Sequence, residues 1–191
     1  MTRLPLILDL CGGTGSWSKP YRDSGKYEVL IVDPQEWLPD DPGTGDVRLF
    51  EYSKRRPHGI LAGPPCTHFS GSGARWWAAK GEGALLSARA IADACVRIAT
   101  LHKPKWWVLE NPVGRLRRYY GPPAYTFNPC DHGDPYTKRT LLWGHFNKPT
   151  RNWVEPTEGS KMWKLPPGPE RALLRSATPP GFSHAFFEAN P

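Results

Sequence analysis

A chain of 191 residues with a formal net charge of +7 is long enough for one core-bearing domain and leaves little over for an accessory module. It shows no charged-then-apolar leader and no apolar run near the roughly 18 residues of a membrane span, so the sequence predicts an intracellular, cytoplasmic protein with no membrane partner. Four widely separated cysteines, Cys11, Cys66, Cys95 and Cys130, form no C-x-x-C pair, which speaks against a zinc ribbon or a disulfide framework. The excess of lysine and arginine favours an anionic partner, nucleic acid first, because cations that neutralise phosphates release counterions.

Leu6–Leu10 reads as a buried strand that runs into a glycine turn, and residues 28–33 form a second strand ending in an acid. Between them, residues 16–24 predict a crossover helix that Pro20 keeps short or kinked. Residues 46–50 lead into a third element, and Gly59–Ala62 is a fourth strand; the alternation predicts an α/β fold with a parallel sheet. Residues 83–102 carry the clearest helical period, with Leu85, Ala88, Ile91, Ala92, Cys95, Ile98, Ala99 and His102 on one face. Trp106-Trp107-Val108-Leu109 enters the next strand, which sets Glu110 at the carboxyl edge of the sheet near Asp9, Asp33 and Cys66, where open α/β sheets bind ligands. Residues 138–143 predict a further strand, antiparallel to its partner. The proline-rich stretch 154–191 has little pattern and is expected to wrap the core. No repeat or low-complexity linker divides the chain.

The chemistry concentrates at those strand ends. Asp9-Leu10-Cys11-Gly12-Gly13-Thr14-Gly15 places glycines where a backbone must turn tightly or approach a ligand, and the same pattern also serves plain turns. Asp33 is placed to accept from ribose hydroxyls, or else is a solvated strand-end acid. Cys66 follows Pro64 and Pro65, whose fixed φ angles stiffen the loop and aim the thiol. Gly63, Ser70, Gly71, Ser72 and Gly73 around it leave room for a planar substrate. Glu110 follows apolar residues, where desolvation raises its pKa and suits it to donate a proton, unless backbone amides satisfy it. Arg115, Arg117, Arg118, Lys138 and Arg139 interleave with Tyr119, Tyr120, Tyr125 and Tyr136, as in a phosphate track with stacking platforms or in a solvated basic face. Cys130 and His132 with His145 lack the spacing of zinc sites, so no metal is expected.

With these residues in view, the chain resembles the DNA cytosine-5 methyltransferase family. The glycine loop is similar to its first motif, Asp33 and Asp46-Val47 to its second and third, Gly63-Pro64-Pro65-Cys66-Thr67-His68-Phe69-Ser70 to its nucleophile motif, and Glu110-Asn111 to its Glu-Asn-Val motif. Thr137-Lys138-Arg139 resembles the following arginine motif, and Arg175-Ser176-Ala177-Thr178-Pro179 a late one. The resemblance implies a Rossmann-like, mostly parallel sheet flanked by helices, and S-adenosylmethionine as cofactor. It sets that cofactor on Asp9 to Gly15, Trp17, Asp33, Pro34, Asp46, Val47 and Pro64. It implies that Cys66 attacks C6 of a flipped cytosine while Glu110 contacts N3 and the exocyclic amine, Arg139 contacts O2, and Asn111 and Pro65 hold the nucleophile loop. Ser70, Arg75, Arg115, Arg117, Arg118 and Lys138 then face DNA.

Several positions depart from the family pattern. Cys11 stands where phenylalanine is usual, so that Trp17 is expected to pack the cofactor instead. Pro112 replaces valine, Thr137 replaces an arginine, and a late Gly-Asn-Ser motif is not apparent. Residues 150–175 leave only a remnant where a target-recognition domain would sit. The expectation is therefore one catalytic domain over 1–191, a monomer acting on double-stranded DNA with short or relaxed sequence preference, as would suit a phage protecting its genome from restriction. RNA or a free cytosine nucleotide as substrate, and a non-catalytic nucleic-acid-binding relative, are the alternatives.

Overall fold

The computed structural model describes residues 3–34, 45–50, 55–166, 168 and 170–191. Six strands, β1 (Leu6–Leu10), β2 (Glu28–Val32), β3 (Gly59–Ala62), β4 (Trp106–Pro112), β5 (Tyr125–Phe127) and β6 (Thr140–His145), make one sheet in the order β2-β1-β3-β4-β6-β5. The first four run parallel, and β6 lies antiparallel between β4 and β5. Every residue of β1 and β3 is buried, as apolar strands covered on both faces must be.

Side-chain alternation divides the core into two layers. Leu8, Leu10, Ile60, Ala62 and Leu109 meet Ala88, Ala92, Cys95, Ile98 and Ala99 of α2 (Trp77–His102). On the other face, Ile7, Leu61, Val108 and Leu142 meet Trp17, Tyr21 of α1 (Lys19–Asp23), and Phe182 and Phe186 of α6 (Pro180–Ala189). Phe182 stacks on Phe127 with ring centroids 3.9 Å apart. Full burial of each phenylalanine contributes about 1.5–3 kcal/mol, which explains why α6 holds its place despite a Pro-Gly start. The helices α3 (Arg117–Tyr120), α4 (Lys161–Lys164) and α5 (Glu170–Ser176) are short.

The structure revises several element predictions. Residues 47–49 form a turn, and the element that 46–50 were expected to lead into falls on residues 51–54, outside the described residues; among the described residues Gly59–Ala62 is the third strand. The helix expected over 16–24 is confined to α1, with Pro20 in its first turn, where a missing N–H costs nothing. Helix α2 starts at Trp77, six residues ahead of its apolar period, and breaks at Gly81, whose φ of 76° lies in the left-handed region. Strand β4 continues through Pro112, which puts Glu110 and Asn111 within it. The predicted antiparallel strand is β6. His132 is a core residue: its ring lies 5.5 Å from Phe127 and 5.4 Å from Phe182, its Nδ1 is 3.1 Å from the Thr150 carbonyl, and burial lowers its pKa. The 150–175 segment includes residues 167 and 169, which lie outside the described residues.

Candidate active site

The first part of the site is the turn after β1. Cys11 takes φ 57°, Gly13 φ 53° and Gly15 φ 66°, so the chain reverses while exposing backbone rather than side chains. The Cys11 amide donates to Val32 (2.8 Å), and the Gly13 amide donates to Asp33 Oδ2 (3.1 Å), which ties the turn to the end of β2. A Cβ on Gly12 would lie 2.5 Å from Asp9 Cγ, so this carboxyl requires glycine above it. Asp9 is buried and accepts from Ser18 Oγ at 2.5 Å. Burial pushes its pKa up to about 6, against the opposing Ser18 bond.

That shift has a sign. Between the ordinary value of 3.8 and about 6 the folded protein binds the extra proton, so stability falls as pH rises through this window. The expected loss is on the order of 3 kcal/mol. Urea denaturation of the wild type is expected to show this decline, and Asp9→Asn to flatten it; equal slopes in both would exclude Asp9 as the source.

The second part is the loop after β3. The Gly63 amide donates to Leu10 (2.9 Å), Pro64 is buried, and Cys66 opens a 3-10 turn, Cys66–His68. Neighbouring elements pin this loop. Buried Asn111 donates its Nδ2 to the Pro64 carbonyl (2.9 Å). Arg115 donates its amide to Phe69 (2.9 Å) and its Nε to the His68 carbonyl (2.7 Å), while its guanidinium lies 4.3 Å over Trp77. Lys80 Nζ reaches the Thr67 carbonyl at 3.1 Å. Gly114 has to be glycine here, because a Cβ would stand 1.9 Å from the Phe69 carbonyl oxygen.

Held this way, Cys66 is an exposed residue on an immobilised backbone. Protein nevertheless surrounds its thiol closely enough that desolvation raises its pKa, the Glu110 carboxylate adds to this, and Lys138 and Arg175 oppose it. Glu110 is half-buried on β4, and desolvation raises its pKa against the pull of Lys138. A thiol, a carboxyl group and a glycine turn thus share one edge of the parallel part of the sheet, an arrangement fit for nucleophilic addition with proton donation.

A model of C-5 cytosine-specific DNA methylases matches residues 38–121, the segment that carries both Cys66 and Glu110. Over that segment the chain is similar to this family. It is 24% identical over 169 residues to the type II methyltransferase M.DdeI of Desulfomicrobium norvegicum, covering 71% of this chain and 39% of the relative. Its fold matches a candidate DNA modification methyltransferase encoded within an E. coli prophage, with TM-score 0.53, 18% identity, and coverage of 87% of this chain and 49% of the other. The chain therefore spans less than half the length of either protein.

The other residues expected at the site are dispersed. Trp17, expected to pack the cofactor, is buried in the core, 5.9 Å from Phe182 and 5.6 Å from Phe186. Cys11 packs against the core cluster that contains Cys95 of α2, and interaction with Cys95, then burial, raise its pKa. Val47 is buried in the α2-side core, the Asp46 carboxylate forks onto Arg48, Thr14 is half-buried and Pro34 is exposed. Arg139 is exposed while Lys138 is half-buried.

The basic-aromatic track is divided. Arg117 and Arg118 are exposed on α3, and Arg89 covers Tyr119 at 4.3 Å. Tyr125 packs beside the opposite core layer, and Tyr136 is buried. Ser70 bonds Ser72 (2.8 Å), and Arg75 lies 5.3 Å from the exposed Trp76. Sequence reasoning missed Ser18 beneath Asp9 and Ser16, whose Oγ accepts from the Thr178 amide (2.9 Å) and brings the late motif against the glycine turn. It also read Arg115 as a phosphate contact rather than a clamp on the loop.

Proposed function

We propose that this chain is an S-adenosylmethionine-dependent DNA cytosine-C5 methyltransferase with short or relaxed sequence preference. The observation that carries this reading is the convergence of Cys66 and Glu110 at the ends of adjacent parallel strands, joined by the Asn111 bond to Pro64. The glycine-rich turn from Gly12 to Gly15, anchored on Asp33, fits the donor, which when bound supplies an electrophilic methyl group on a sulfonium. The immobilised loop presents Cys66 for addition to C6 of an unstacked cytosine. A sulfur–carbon bond forms and electron density moves into the ring toward C5. Glu110, whose pKa burial raises, is the group placed to donate to N3 and offset that charge as it develops. Once C5 carries the methyl group, loss of its proton restores the C5–C6 double bond and expels Cys66.

Relaxed preference is supported by the short path between β6 and α6. Its described helices are α4 and α5, of four and seven residues, little for reading flanking bases. A single-domain monomer that marks many cytosines in duplex DNA would suit a phage genome shielded from restriction in a bacterial cytoplasm. Bisulfite sequencing of DNA from expressing cells is expected to show methylation in many contexts, and confinement to one long site would overturn relaxed preference.

The reaction is tested with S-adenosylmethionine and a duplex containing 5-fluorocytosine, whose fluorine blocks the final elimination. A covalent adduct that disappears in Cys66→Ala is the expected result. An adduct only on RNA or on a free cytosine nucleotide would reassign the substrate. Absence of any adduct together with absence of donor binding by calorimetry would point to a non-catalytic relative.

A further inference from the structure

Three elements bring charge to Cys66: Glu110 from β4, Lys138 from the approach to β6, and Arg175 from the last turn of α5. Lys138 alone of the two cations also bears on Glu110. Its placement follows from strand register. Glu110 lies opposite Leu142 and Pro112 opposite Thr140, and opposed residues of an antiparallel pair share a face. Carrying the alternation two residues back sets Lys138 on the Glu110 face and Arg139 on the other. Their exposure agrees with this, since Lys138 is half-buried and Arg139 is exposed. Lys138 Nζ donates to the Arg175 carbonyl at 2.8 Å, which fixes an otherwise flexible stem; an ammonium has three donors, and this bond uses one.

We propose that Lys138 is the positioning charge of the nucleophile: its ammonium, moored on the Arg175 carbonyl, faces Cys66 and Glu110 together and favours the thiolate form of the sulfur in the free protein. This inference rests on the reading of Cys66 as the nucleophile. The S–H proton passes to solvent buffer, no oxidation is involved, and the thiolate left behind is compensated by the ammonium. The same charge attracts the Glu110 carboxylate, so one lysine sets a ceiling on how strongly burial keeps that acid protonated. Lys138 thereby has a role distinct from contact with a DNA phosphate, and from the O2 contact that the family resemblance assigns to Arg139.

The test uses the full chain without DNA or donor. Iodoacetamide alkylation of Cys66 is followed across pH by mass spectrometry of the Cys66 peptide. Lys138→Met, which keeps the apolar stem, is expected to move the alkylation midpoint to higher pH and to slow alkylation near neutrality about 5–10-fold. Lys138→Arg is expected to stay within about twofold of wild type, because it restores the charge. An unchanged profile in Lys138→Met overturns the proposal. So does an equal shift in both variants, which would report lost packing. Alkylation proceeds without methyl transfer, so a missing adduct on fluorocytosine DNA would defeat the proposed reaction while leaving this result to stand or fall on its own.

Discussion

Replacing Cys66 with serine is expected to reduce methyl transfer by at least about a thousandfold and to abolish the fluorocytosine adduct. A serine hydroxyl is far less acidic than a thiol, and among the described residues no general base is hydrogen-bonded to this side chain to activate it. The fold should tolerate the change within about 0.5 kcal/mol, because the residue is exposed and its loop is held by Asn111, Arg115 and the Leu10 carbonyl. Tritiated methyl transfer, measured beside thermal unfolding and donor binding, separates these effects. Turnover within tenfold of wild type would rule out sulfur as the nucleophile.

Glu110→Gln is expected to cost about a hundredfold to ten-thousandfold in kcat, with donor affinity unchanged. Glutamine matches glutamic acid in shape and retains an N–H donor, so β4 and its pairing with Leu142 persist, but it cannot transfer a proton. The pH profile gives a second readout. Burial raises the Glu110 pKa, so the protonated acid survives to higher pH than an ordinary glutamic acid and is lost as pH rises further. The Cys66 thiolate fraction changes in the opposite direction, and the product of the two is a bell. Glu110→Gln should lose the alkaline limb and keep the rising one. A variant that keeps both limbs would remove Glu110 from the proton path.

Apolar runs made β1, β3 and β4 legible, and the three-to-four spacing of Leu85 to His102 made most of α2 legible, because each of these patterns is local. The position of Cys66 and Glu110 at one edge followed from the same logic, since parallel strands that alternate with helices point their carboxyl ends together. What escaped depended on distant partners. Helix α6 hides behind Pro180 and Gly181, although Phe182 and Phe186 four residues apart were a usable signal. Strand β5 is only three residues long and is defined by its pairing with β6. The choice between Lys138 and Arg139 rests on a register that no linear pattern announces. Trp17 was expected to pack the cofactor because Cys11 stands where the family has phenylalanine; its place in the aromatic layer with Phe182 and Phe186 is set by partners near the other end of the chain.

The stitching between the front of the chain and residues 178–191 bears on how the protein is made. Tyr21 Oη donates to the Asn190 carbonyl across 169 residues, and the Thr178 amide donates to Ser16 Oγ across 162. During synthesis these residues leave the ribosome after every strand has emerged, so one side of the β1 layer waits, with Tyr21 and Trp17 uncovered, until they arrive. Contacts of such long separation form slowly, because chain closure must precede any gain from packing. A nascent chain of this kind is expected to depend on chaperones until residues 178–191 have emerged, and to acquire a functional glycine turn late in its folding rather than first.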